Sequence, residues 1–100
     1  MKFEIERPNR NILFLVRRIG YFLLNKNKEE FNCVRSLSNQ NYPRFHLFIK
    51  EDKDKNILFL HLHLDQKKAS YRGGSAHSGE YDGDIIEKEK KRILEIINNF

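Results

Sequence analysis

Leucine occupies every second position from Leu58 to Leu64, and the positions between and after are Phe59, His61, His63 and Asp65. Successive side chains of a strand point to opposite faces, so this segment has one aliphatic face and one face of rings and a carboxylate. Helical spacing would mix the two sets. The segment therefore has to lie in a sheet covered on one side only. Arg44–Lys50 has the same character, with Phe45, Leu47 and Ile49 alternating against Arg44, His46, Phe48 and Lys50. Joined by the charged turn Glu51–Lys55, the segments Arg44–Lys50 and Asn56–Asp65 read as a hairpin.

Matching aliphatic to aliphatic across that turn predicts a register. Lys50 falls opposite Ile57, Phe48 opposite Phe59, His46 opposite His61 and Arg44 opposite His63. Ile49–Leu58, Leu47–Leu60 and Phe45–Leu62 become the core pairs, and a slip of one residue would destroy them. Directly opposed Cβ atoms lie about 4.5–5.5 Å apart. His46, His61 and His63 are thus expected to cluster, bordered by Arg44 and a Phe48–Phe59 pair.

Around this hairpin the chain organises simply. Lys2–Glu6 alternates and predicts a short edge strand. From Asn9 to Ile19, helical spacing of Ile12, Leu15, Val16 and Ile19 predicts a helix, with Asn9 or Asn11 as N-cap and Gly20 as the stop. Leu13 and Phe14 widen its apolar surface, predicting packing on more than one side. Tyr21–Leu24 and Phe31–Leu37 read as strands about the turn Asn25–Glu30, followed by a loop at Ser38–Pro43. A last helix starts near Asp84, which with Glu87 resembles a capping box. Its expected buried stripe is Ile86, Ile93, Ile97 and Phe100, with Ile85, Leu94 and Ile96 beside it. The charge run Glu87–Arg92 reads as its solvated face. These elements predict an α+β two-layer sandwich in one domain over residues 1–100. Its antiparallel meander sheet has four or five strands, and the N- and C-terminal helices cover one face. The histidines then point to the open face.

One hundred residues, 39% of them hydrophobic, suffice for a single core. The apolar runs Ile12–Val16 and Ile57–Leu60 are too short to span a bilayer, and Met1–Glu4 has no signal-peptide pattern. Cys33 is the only cysteine, which rules out an internal disulfide and a cysteine zinc cage. A lone thiol suits a reducing compartment, so a cytoplasmic protein without a membrane partner is expected. A net charge of +5 and a pI near 9.4 favour acidic partners, nucleic acid or a phosphorylated small molecule among them.

Three readings of the histidine face follow. A metal site would use His46, His61, His63 and His77, with Glu80 or Asp65 to complete the shell and zinc as the divalent ion. In an open site Glu80 would act as general base, with His77 beside it as a second catalytic candidate. A ligand surface would use Arg44, His46, Phe48, Phe59, His61 and His63 as a platform for single-stranded nucleic acid or a phosphorylated ligand. Lys67 and Arg72 would hold phosphates at its rim. The third reading is structural: histidines hydrogen-bonding to one another and to Asp65. The long connection between Asp65 and Asp84 holds four of the five glycines, a length usual for functional or disordered loops. A Ser75 or Ser78, His77 and Asp82 triad is disfavoured, because chain neighbours seldom meet that geometry. Cys33 as a nucleophile is weaker than Cys33 as a buried, inert thiol.

Tyr42–His46, Leu62–Lys67 and Ala76–Tyr81, that is YPRFH, LHLDQK and AHSGEY, resemble a family of small uncharacterised bacterial proteins of the candidate-phyla radiation. The resemblance covers about the last two thirds of the chain. It implies a bacterial cytoplasmic protein, and it carries over no catalytic residue because no activity is attached to that family. The favoured reading is a small binding domain for a phosphorylated or single-stranded nucleic-acid ligand. The alternatives are a metal-dependent hydrolase and a homodimer that meets through Phe48 and Phe59.

Overall fold

The computed structural model describes residues 1–66 and 83–100. Its five strands are β1 (Lys2–Glu6), β2 (Phe22–Asn27), β3 (Glu30–Ser36), β4 (Arg44–Asp52) and β5 (Ile57–Asp65). They form one antiparallel sheet in the order β1-β5-β4-β3-β2. β2 to β5 are the expected meander. β1 closes the row by pairing with the last strand, and α1 (Ile12–Arg18) lies in the connection that returns the chain to the opposite edge. With α2 (Asp84–Asn98) it packs on the aliphatic face, giving the α+β sandwich the alternation predicts. Among the described residues, no helix is long and apolar enough to cross a membrane.

Local chemistry sets the ends of α1. Asn11 is its N-cap, and the side-chain oxygen accepts the Phe14 amide at 2.8 Å. Gly20 holds φ at 85°, a left-handed geometry that glycine adopts without a Cβ penalty, and the Tyr21 amide then donates to the Val16 carbonyl. Ile12, Leu15, Val16 and Ile19 enter the core, whereas Leu13 and Phe14 stay exposed, so one side of the helix packs rather than several. The core they join is built from Phe45, Leu47 and Ile49 of β4 and the four leucines of β5. Phe31 and Cys33 of β3 face it too, which settles the side of that strand.

The β4–β5 register differs from the expected one by two residues. Arg44 opposes Asp65, His46 opposes His63, Phe48 opposes His61 and Lys50 opposes Phe59. The expected His46–His61, Arg44–His63 and Phe48–Phe59 pairs do not form as opposed pairs. A shift of two leaves every side chain on its face, so the aliphatic matching could not detect it. The cause lies in the turn. Glu51 and Asp52 continue the strand, opposite Leu58 and Ile57, and only four residues are left to reverse the chain. Asp52 Oδ1 accepts the Lys55 amide at 3.1 Å and Asn56 takes φ 57°, the turn chemistry suited to Asp and Asn. Glu51 is tied by an ion pair to Arg7. The β2–β3 turn is likewise tighter than expected: Asn27 pairs with Glu30, and Lys28 turns the chain at φ 55°.

α2 departs from its sequence reading at three points. Gly83 is the N-cap and, among the described residues, no side chain caps the helix, so Asp84 and Glu87 sit in the first turn without forming a capping box. Phe100 is 38% exposed and meets Phe14, with Arg18 over its ring, so it lies outside the buried stripe of Ile86, Ile93 and Ile97. The third departure is Glu89. Within a run expected to be solvated, it is 3% exposed. It accepts hydrogen bonds from Tyr21 Oη at 2.6 Å and from Arg35 at 2.9 and 3.1 Å. Arg92 adds two more at 2.8 and 2.9 Å and also donates to the Ile19 carbonyl. One carboxylate thus ties α2 to β3 and to the segment after α1.

Burial alone would raise the Glu89 pKa, but hydrogen bonds from Arg92, Arg35 and Tyr21 outweigh it and bring it from an ordinary 4.5 down to about 2. The unfolded chain therefore takes up this proton first as pH falls. The stabilisation is complete above about pH 4.5 and is lost as pH drops toward 2. We expect Glu89→Ala to cost about 3–5 kcal/mol, because two guanidinium groups lose their acceptor. Urea melts at pH 7 check the magnitude. The same melts between pH 5 and 2 should show a flatter acid slope for Glu89→Gln than for wild type.

Candidate functional site

The sheet face opposite α1 and α2 is a ladder of cross-strand rows. Asp65, Arg44 and Ser36 form one row; His63, His46, Val34 and Phe22 form the next. Then come Lys2, His61, Phe48, Asn32 and Asn25, and beyond them Glu4, Phe59, Lys50, Glu30 and Asn27. The first two rows hold a buried polar cluster. The last two carry exposed aromatic rings among acidic and basic side chains.

In the cluster, His46, His63 and Asp65 are all buried, at 8%, 4% and 3% exposure. His46 Nδ1 lies 3.0 Å from Asp65 Oδ2, and His63 Nε2 lies 3.4 Å from Asp65 Oδ1. His46 Nε2 meets Asn32 Oδ1 from the neighbouring strand. Arg44 Nε reaches the same Asp65 carboxylate at 3.5 Å, while its guanidinium lies over the Tyr42 ring, 4.6 Å from the centroid. The imidazoles of His46 and His63 meet edge to face at 4.9 Å. One donor atom from each of His46, His63 and Asp65 falls within 4.8 Å of the others.

Phe48 joins the two regions. Its ring stacks on His46 at 4.6 Å and 26°, and it lies 6.3 Å from His61. Beyond it opens a shallow depression of about 600 Å³ lined by Lys2, Glu4, Glu30, Phe48, Lys50, Phe59 and His61, together with Phe3 and Leu60. Phe59 is 37% exposed there. Burial, aided by the positive N-terminus and Lys2, pushes the His61 pKa below its usual value, so the ring favours its neutral form.

The structure therefore sorts the expected site residues into two groups. His46, His63 and Arg44 converge on Asp65. Phe48, Phe59 and His61 line the depression, so His61 lies beside the compact donor set rather than in it. Lys67, Arg72, His77 and Glu80 lie outside the described residues, as do Ser75, Ser78 and Asp82. Sequence reasoning missed Asn32, Lys2 and Lys50, and it gave Asp65 too small a part. Asn32 was findable in principle, because it is out of phase with Phe31 and Cys33. No family model matches the chain, and neither a curated protein nor a solved structure matches it.

Cys33 is fully buried on the opposite face, within the core, and burial pushes its thiol up to about 12. It cannot reach any histidine of the cluster through the sheet. We expect native protein to react with a thiol-specific disulfide reagent at pH 8 roughly a hundredfold or more slower than the urea-unfolded chain. Stopped-flow absorbance checks this, and equal rates would refute the burial.

Proposed function

We propose that this chain is a small binding domain whose sheet face opposite α1 and α2 takes single-stranded nucleic acid. The observation that carries the reading is the shared depression of Phe48, Phe59 and His61, flanked by the ammonium groups of Lys2 and Lys50. A base stacks on an exposed ring at low cost in specificity, because every base has a π face. Lys2 and Lys50 take the flanking phosphates, and Glu4 and Glu30 accept from exocyclic amino groups. Acidic and basic groups alternate around the depression, so recognition relies on stacking as much as on charge. Val34 and Phe22 extend the same face toward β2, where Phe22 is 73% exposed and offers a second stacking position.

Metal-assisted phosphoester hydrolysis is the less favoured reading. A water-activating ion needs an open coordination position near its substrate. His46, His63 and Asp65 are buried, whereas the depression that would admit a substrate is lined by His61 and Phe59.

Fluorescence anisotropy with labelled single-stranded oligonucleotides tests the proposal. Affinity should fall as salt rises, and Lys50→Ala should reduce the log–log salt slope by about 0.7. Phe59→Ala should cost about 1–3 kcal/mol of binding, and it removes an exposed side chain, so folding is spared. No anisotropy change with any oligonucleotide, or salt-independent binding, refutes the reading.

A further inference from the structure

We propose that His46, His63 and Asp65 form a binding site for one divalent transition-metal ion, structural rather than catalytic. Two observations carry it. The first is the spacing of donors. Ligands about 2.1 Å from a metal lie roughly 3.0 Å apart in an octahedral shell and 3.4 Å apart in a tetrahedral one. His46 Nδ1 lies 3.0 Å from Asp65 Oδ2 and His63 Nε2 lies 3.4 Å from Asp65 Oδ1. The donors of the three residues fall within 4.8 Å of one another, so a small inward shift of the rings would bring all of them to one ion.

The second is the support behind a ligand. His46 turns its other nitrogen, Nε2, to Asn32 Oδ1, an acceptor. With Nε2 as the donor to Asn32 Oδ1, a neutral His46 ring would turn its Nδ1 lone pair toward the Asp65 carboxylate. Two Lewis bases 3.0 Å apart require a positive centre between them, a proton or a metal ion. A ring whose far nitrogen donates to a side-chain oxygen is the usual arrangement of a metal-ligating histidine. Two imidazoles with one carboxylate suit zinc and its first-row neighbours, not the all-oxygen preference of calcium or magnesium. Burial of all three residues suits an ion that ties β4 to β5, with both oxygens of Asp65 supplying donors so that the closed shell of a structural site reaches four. Arg44 opposes this, because its charge shares the Asp65 oxygen that an ion would take.

The test uses full-length protein purified without a histidine tag and stripped with a chelator. Zinc is titrated against a chromophoric competitor, and cobalt is added as a spectroscopic probe. We expect one ion per chain, visible d–d absorption with cobalt, and a higher melting temperature with zinc. His63→Ala and Asp65→Asn should lose at least tenfold in affinity, and His61→Ala should retain it. Arg44→Gln should bind several-fold more tightly, a gain that misfolding cannot produce. Less than stoichiometric uptake by wild type overturns the proposal. So does full affinity in His63→Ala with folding confirmed by circular dichroism, or unchanged affinity in Arg44→Gln.

Discussion

The pleat of β4 and β5 is the constraint from which the rest follows. Because side chains alternate, Leu58, Leu60, Leu62 and Leu64 can be buried under two helices only if His61, His63 and Asp65 face the other way. The hydrophobic effect acts on one face and thereby fixes the other. Each fully buried leucine is worth about 1.5–3 kcal/mol relative to exposure. Turning the polar residues inward would forfeit several such gains and bury imidazoles among aliphatic chains. The polar face is therefore specified as firmly as the core.

The limits of sequence legibility follow the same physics. Parity carries the fold class, the strand identities and the side on which the histidines sit, because a one-residue error exposes leucines. It carries nothing about a two-residue error, which preserves every face. His46 was therefore matched with His61 when its partner is His63. What decides between the two registers is the turn, where Asp52 holds the Lys55 amide and Asn56 accepts a positive φ. Glu89 escaped for a related reason. It lies three residues from Ile86 and four from Ile93, so helical spacing places it on the buried stripe, and its charge alone argued otherwise. The partners that permit burial, Tyr21 and Arg35, come from distant parts of the chain.

Two buried carboxylates are handled in opposite ways. Glu89 meets two guanidinium groups and a phenol, all of them donors, and those hydrogen bonds keep it ionised at low pH. Its role is completed by fixed positive charge. Asp65 instead faces two imidazoles, with one arginine at longer range. Imidazole nitrogens either donate or accept, so the contacts of His46 and His63 with Asp65 depend on where each ring carries its proton. The first arrangement is a permanent fastening on the helix side. The second is chemically adjustable, and it lies on the side of the sheet opposite α1 and α2.

The adjustable cluster and the exposed depression also bear on each other through Phe48. That ring stacks on His46 and lines the depression, so the position of the imidazole sets the floor on which a base would rest. Stacking platforms work best when they are rigid before the ligand arrives, since ordering them on binding costs free energy. His46 is held at one nitrogen by Asn32 and at the other by whatever bridges it to Asp65. A buried polar cluster beside the depression thus has a physical use even if no reaction occurs in it. It braces an aromatic ring from the side, at the edge of the depression, by stacking an imidazole against it.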